Sequence, residues 1–303
     1  MAIETITLIG LGAMGSFFAP RLQAVYGDRF RVLANGPRKE RLETQGITVD
    51  GVSYHFPVID SQCTDPADLI IIAVKAYGLE QAIADIRNQV GPNTQILCVM
   101  NGISSEEQVA AAYGWDHVLY SFMRVSVVMK DGNSNYSGGG CIHFGERDNH
   151  TISPRVAEVE AVFQLAGIDY VIDEDMVLAM WFKFMSNVGE NMTCALLGIP
   201  FGTYRTSPDA NFIREAAMEE VMAIANHLGI GLSRDHFDQQ NRTIAHLPPA
   251  NKPSTLQDLE AGKRTEVDLF SGTVCQLGKR YGIPTPVNEL LYHGIKVLEE
   301  RGK

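Results

Sequence analysis

Within the stretch WFKFMSNVGEN, Lys183, Asn187 and Asn191 recur at every fourth position. Residues four apart on a helix share a face and drift by about 40° per step. The ammonium and the two amides therefore form one slanting polar row, flanked by Trp181, Phe182, Phe184 and Met185. A single lysine could lay its stem on a surface and keep its head in water. Two amides on the same row need partners that an apolar core cannot give. The row is expected to wall a polar cleft between domains, where a partly desolvated lysine can have a lowered pKa and act as a general acid.

A second constellation opens the chain. LIGLGAMG places Gly10, Gly12 and Gly15 in the G-x-G-x-x-G spacing, after a strand signal and before a helix signal. Gly10 permits the tight turn, Gly12 lets backbone approach a pyrophosphate, and Gly15 lets helix and strand pack closely. Phosphates then sit on the free N–H groups and the positive end of the helix dipole. The motif, in this context, predicts a dinucleotide site formed by Gly10, Leu11, Gly12, Ala13, Met14 and Gly15. About 20 residues further on, NAD-binding versions carry an acid for the ribose 2′-hydroxyl. Here the region reads VLANGPRKER, with Asn35 at that place and Arg38, Lys39 and Arg41 just after it. With no acid to repel a 2′-phosphate and cations ready to meet one, the expected cofactor is NADP(H), with Arg38 as its first contact.

Ligands of doubly wound sheets bind beyond the carboxyl ends of the strands. Lys75 follows LIIIAV and Asn101-Gly102 follows ILCVM, so both belong on the rim that carries the glycine loop. A hairpin turn at Asn101-Gly102 is less favoured, because SSEEQVAAAYG reads as a helix with Ser104 or Ser105 as its N-cap. Further along, STLQDLEAGKRTEVD supplies Ser254, Asp258 and Glu266; a glutamate inside an ordinary helix usually faces solvent. The eight histidines form no HxxxH or HxxEH pattern and no serine occupies a G-x-S-x-G elbow, so metal hydrolysis and serine hydrolase chemistry have no support.

These residues need elements to position them. IETITLIG, FRVLA, DLIIIAVKA and TQILCVMNG read as strands, the last two buried on both faces. AMGSFFAPRLQAVYG, RKERLETQG and GLEQAIADIRNQVG read as helices between them, and ITVDGVSYHFPVI alternates about a hairpin turn at Asp50-Gly51. That alternation implies a parallel, doubly wound α/β sheet. From about Asp173 the signal becomes helical. DEDMVLAMWFKFMSNVGENMTCALLG is one long helix candidate. SPDANFIREAAMEEVMAIANHLG follows, with an apolar stripe of Ile213, Ala217, Val221, Ile224 and Leu228 ended by Gly229. KRTEVDLFSGTVCQLGKRYG and NELLYHGIKVLEE also read as helical. The expected organisation is an α/β dinucleotide-binding domain over residues 1–172 and an all-α domain over 173–303.

Composition narrows the function classes. The chain of 303 residues is long enough for two buried cores, and at 45% hydrophobic and 20% charged it is ordinary for a soluble globular protein. No apolar run reaches about 18 residues, so no membrane span is expected. The start lacks a basic region and a cleavage site, and the five cysteines are dispersed without paired spacing, which together point to the cytoplasm. Lys plus Arg is 25 against 36 for Asp plus Glu, and a net charge of −11 argues against a nucleic-acid partner.

Taken in order, GLGAMG, VKAYGLEQAI, MNGISSEE, WFKFMSNVGEN and STLQDLEAGKRTEVD resemble the ketopantoate reductase (2-dehydropantoate 2-reductase) family over essentially the whole chain. The resemblance implies an N-terminal Rossmann-type domain and a C-terminal helical domain for substrate binding and dimerisation. It also implies NADPH-dependent reduction of a small 2-keto acid, ketopantoate to pantoate; a homodimer is the default expectation for the assembly. Lys183 would protonate the carbonyl oxygen as hydride reaches the adjacent carbon. Asn101 would sit near nicotinamide and substrate, while Asn187, Asn191 and Ser254 would orient the keto acid. Glu266 would hold a distal substrate hydroxyl or the cofactor edge, and Lys75 would lie against the cofactor. Two departures stand out: Phe201 lies where some members carry a polar substrate contact, and ANGPRKER replaces a more usual arginine-glycine-glutamate run.

Overall fold

In the computed structural model, which describes residues 2–130 and 133–301, the chain forms two units, Met1–Met176 and Val177–Lys303. The strands of the first are β1 (Ile6–Ile9), β2 (Phe30–Leu33), β3 (Ile47–Val49), β4 (Val52–Tyr54), β5 (Val58–Ile59), β6 (Ala67–Ile72), β7 (Val90–Cys98), β8 (Val118–Lys130), β9 (Asn133–Gly145) and β10 (Tyr170–Val171). Its complete helices are α1 (Ala13–Tyr26), α2 (Gly36–Gln45), α3 (Leu79–Asp85), α4 (Ser105–Tyr113) and α5 (Pro154–Leu165). The helix α6 (Met176–Leu197) begins on its last residue and opens the second unit, which continues with α7 (Pro208–His227), α8 (Arg234–His246), α9 (Ser254–Glu260), α10 (Ser271–Tyr281) and α11 (Pro286–Arg301).

Six parallel strands run in the order β5-β2-β1-β6-β7-β8, the doubly wound arrangement that the alternating pattern implied. Side chains alternate across it. Leu69 and Ile71 of β6 join one core with Phe17, Phe18 and Leu22 of α1 and with Val159 and Phe163 of α5. Ile70 and Ile72 join the opposite core with Leu79 and Ala82 of α3 and with Val109 of α4. A strand covered on both faces reads as the unbroken apolar run seen in sequence.

The segment from 115 to 172, unassigned from sequence, extends this sheet. β8 and β9 form a long antiparallel hairpin, and β9 also pairs with β10 and β3. β3 and β4 pair about Asp50 and Gly51, both at positive φ (48° and 80°), as the two-residue hairpin signal required.

In the second unit the regular elements among the described residues are helices. α6 ends at Gly198, whose φ of 66° stops the helix. α7 begins at Ser207, whose hydroxyl accepts from the Ala210 N–H at 3.1 Å. Its stripe is narrower than the spacing suggested: Ala217, Val221 and Ile224 are buried, while Leu228 is exposed and Ile213 only half-buried.

Candidate active site

The loop between β1 and α1 is built from glycines with distinct steric duties. Gly10 has φ +97°, and a Cβ there would sit 2.6 Å from the Ala73 carbonyl carbon on the neighbouring strand end. A Cβ on Gly15 would run into the Gly10 carbonyl oxygen. Gly12 is different, because a Cβ there would meet no protein atom within 4 Å. Gly12 is also the N-cap of α1, and no side chain caps that end. The start of α1 thus has no side-chain cap, and the space beside Gly12 is clear, which together suit a phosphate.

The rim beyond the strands gathers the other candidates of this unit. Ile9 pairs in register with Ile72, and Ile72 with Cys98, so Gly10, Lys75 and Asn101 emerge from neighbouring strand ends. The Ala73 N–H donates to Ile9 O at 2.8 Å and the Val99 N–H to Ile72 O at 2.9 Å, continuing the ladders to that edge. Lys75 is exposed and Asn101 half-buried, and Gly102, at φ +99°, turns the chain away from it. Ser104 is the N-cap of α4, though its hydroxyl makes no capping bond.

Arg38 reaches this rim as well. Its Nη2 donates to the Leu11 carbonyl at 2.9 Å, which places a guanidinium against the glycine loop. Partial burial, then the like charge of Arg41, lowers its pKa; an arginine starts so high that it stays charged. Asn35 accepts from the Ser61 N–H at 3.0 Å and from its hydroxyl at 3.1 Å, so its amide is engaged by the loop after β5. That loop contributes a carboxylate that sequence inspection missed. Asp60 lies 2.7 Å from Lys39 Nζ, and the hydrogen bond raises the Lys39 pKa and lowers that of Asp60. Lys39 is thereby matched, which leaves Arg38 as the better candidate for a 2′-phosphate. Arg38→Ala is expected to weaken NADPH binding about 10- to 100-fold and NADH binding much less. Dissociation constants for both nucleotides check this.

In the second unit, α6 presents the polar row. Lys183 and Asn187 are half-buried and Asn191 is 9% exposed, beside the buried Trp181, Phe182, Phe184 and Met185. The row has a further member. Glu190 lies seven residues past Lys183, within about 20° of it around the helix, and is 5% exposed. Its Oε1 lies 3.8 Å from Nη1 of Arg214 on α7, itself 2% exposed, and its Oε2 accepts from Gln240 of α8 at 3.0 Å. The Tyr204 hydroxyl donates to the Glu190 carbonyl at 2.9 Å. A carboxylate inside the run NVGENMTCALL was the available signal. The arrangement fixes the rotation of α6 against α7 and α8.

Ser254 lies on a segment bonded to the turn after α6, and Glu266 in a turn that packs on α6. Ser254 is the exposed first residue of α9, three residues past Asn251, whose carbonyl accepts from the Phe201 N–H just after α6. Glu266 is 8% exposed, unlike the usual helical glutamate, and it corrects the helix expected over KRTEVDLFSGTVCQLGKRYG: that helix begins only at Ser271, which leaves Glu266 in the turn before it. Phe270, closing that turn, meets the Phe184 ring of α6 at 6.3 Å.

Asp268 anchors the Glu266 turn to α11, accepting from Lys296 at 2.8 Å and Tyr292 at 2.9 Å. Burial pushes the Asp268 pKa up, but these hydrogen bonds outweigh it and hold the carboxyl below its ordinary 3.8. A depressed carboxylate contributes stability above its unfolded pKa and loses it as pH falls through the folded value. Asp268→Asn should therefore lower Tm at neutral pH, with the gap from the parent closing as pH drops below about 4.

Comparison with known proteins places the chain. Residues 6–149 match the family described as ketopantoate reductase PanE/ApbA, and residues 175–299 match its C-terminal family. The chain is 27% identical over 304 residues to a 2-dehydropantoate 2-reductase of Archaeoglobus fulgidus, covering 99% of each. In structure it is similar to a D-mandelate dehydrogenase solved with NADH and anilino(oxo)acetate (TM-score 0.87, 20% identity, 98% of this chain and 99% of that one). It is also similar to a ketopantoate reductase of Staphylococcus aureus described as dimeric (TM-score 0.82, 18% identity, 99% and 100%). The chain belongs to the ketopantoate reductase family, and is thus an oxidoreductase acting on CH–OH groups.

Proposed function

We propose that the protein reduces 2-dehydropantoate (ketopantoate) to (R)-pantoate with NADPH, a step of pantothenate and coenzyme A biosynthesis. The observation that carries this reading is the face of α6, where Lys183 and Asn187 stand half-buried and Asn191 buried in one row. The Met1–Met176 unit is the NADP(H)-binding part and the Val177–Lys303 unit the substrate-binding and dimerisation part. The clear space over Gly12 and the uncapped start of α1 fit a pyrophosphate, held by Gly10, Leu11, Gly12, Ala13, Met14 and Gly15. Arg38 attends the adenosine 2′-phosphate, Lys75 lies against the cofactor, and Asn101 attends the nicotinamide and substrate.

Bound NADPH supplies the hydride. Hydride addition to the keto carbon builds negative charge on its oxygen, and the Lys183 ammonium both stabilises that charge and delivers the proton. Asn187, Asn191 and Ser254 orient the keto acid, and Glu266 accepts a hydrogen bond from the distal hydroxyl or the cofactor edge. The homodimer is the working assembly, and the cytoplasm the expected location. All five cysteines are free thiols. No helix among the described residues is long and apolar enough to cross a membrane.

A second reading concerns substrate identity. Phe201 is half-buried against the buried cluster of Cys194, Tyr204, Ala210 and Ile244, and an apolar ring at this position suits a 2-keto acid with an apolar side chain. Values of kcat/KM for ketopantoate, 2-ketoisovalerate and phenylglyoxylate, each with NADPH and NADH, separate the two. Ketopantoate with NADPH should lead. A lead of tenfold or more for phenylglyoxylate would transfer the assignment to the apolar keto acids.

A further inference from the structure

The long β8–β9 hairpin does more than widen the sheet: its second strand is bonded into the first turn of α1. The Tyr136 hydroxyl donates to the Ala13 carbonyl at 2.7 Å. Ser16 Oγ lies 2.8 Å from the same hydroxyl and 2.7 Å from Ser134 Oγ. Ser16 and Ser134 are both buried, and the Tyr136 ring meets Phe17 edge-on at 5.7 Å. The strand is steadied in turn. Asp50, at the tip of the β3–β4 hairpin, accepts from the Tyr136 N–H at 2.9 Å, and its own N–H donates to Ser134 O at 2.9 Å.

Ala13 is the first residue of α1 and lies between Gly12 and Gly15. A trans peptide is planar, with its C=O and the following N–H pointing in opposite directions. A hydrogen bond to the Ala13 carbonyl therefore fixes the direction of the Met14 N–H. It also polarises that peptide and makes the N–H a stronger donor. Met14 N–H belongs to the first turn, where a helix has donors without intrahelical acceptors. Burial raises the Tyr136 pKa to about 12, so the phenol remains a donor throughout the working pH range.

We propose that Tyr136 is a positioning residue for cofactor binding: its hydroxyl, with Ser16 and Ser134, aims the first-turn N–H groups of α1 at the pyrophosphate. This rests on the glycine loop holding the pyrophosphate. Tyr136 itself touches the loop, and its part is to orient the donors.

Tyr136→Phe keeps the ring against Phe17 and removes only the hydroxyl. The Kd for NADPH should rise about five- to tenfold, the size of one lost hydrogen bond in a polar network. At saturating NADPH, kcat and the KM for the keto acid should stay within about twofold of the parent. Fragments localise the effect. ADP-ribose 2′-phosphate, which has the pyrophosphate, should lose the same factor; adenosine 2′-monophosphate, which lacks it, should lose nothing. A merely structural tyrosine would lower Tm or weaken both fragments alike, and either pattern without the selective loss overturns the proposal. Unchanged NADPH affinity in the variant, with a parent that binds, overturns the role of Tyr136 alone. A parent that binds neither NADPH nor NADH overturns the nucleotide reading together with it.

Discussion

Lys183→Ala should lower kcat for keto-acid reduction by about 10²- to 10⁴-fold, the range expected when a positioned general acid is removed. The Kd for NADPH should stay within about twofold, because Lys183 belongs to α6 whereas the glycine loop belongs to the other unit. The chemical reason is the alkoxide. Without an ammonium beside it, the developing negative charge has only hydrogen bonds from neutral groups, and no proton arrives. Lys183→Arg should rescue little of the loss. Guanidinium keeps the charge but does not release a proton near neutral pH, and its planar fork does not reproduce a point donor. Stopped-flow reduction at saturating NADPH separates this chemical defect from any change in binding.

The glycine loop gives the second large effect, as a contrast between neighbours. Gly15→Ala drives a methyl group into the Gly10 carbonyl, backbone that cannot swing aside. It should cost about 3 kcal/mol or more and lower Tm by several degrees. Gly12→Ala places its methyl where no protein atom lies within 4 Å, so Tm should barely move. That methyl would instead occupy the space assigned to the pyrophosphate, and Kd for NADPH should rise about 100-fold or more. Thermal unfolding and nucleotide titration of the two variants read these effects separately. A Gly12→Ala protein that binds NADPH like the parent would place the phosphates elsewhere.

Much of this was legible in the sequence because the signals were local. The glycine spacing, the apolar runs of β6 and β7 and the four-residue rhythm of α6 each occupy a dozen residues or fewer, and these elements form around them. The helix expected over GLEQAIADIRNQVG, however, stops at Asp85, and β7 begins at Val90. The hairpin turn at Asp50-Gly51 was equally plain, since only a few residue types tolerate two successive positive φ values. What escaped depends on residues distant in the chain. Asp60 meets Lys39 across 21 positions, and Gln240 meets Glu190 across 50. The Tyr136 bond to Ala13 spans 123. The turn that holds Glu266 escaped for a different reason. Its flanking residues have ordinary helical propensity, but Asp268 bonds to Tyr292 and Lys296 hold the segment as a turn, and tertiary contacts override such a weak preference.

The central claim is that hydride passes from NADPH to the keto carbon of ketopantoate. Its most direct test is to incubate the protein with ketopantoate and NADPH deuterated at both C4 positions, then weigh the product. One deuterium on the carbinol carbon of pantoate, formed by the parent and suppressed at least a hundredfold in Lys183→Ala, is the predicted result. Recovery of unreduced ketopantoate from a protein that demonstrably binds NADPH would contradict it.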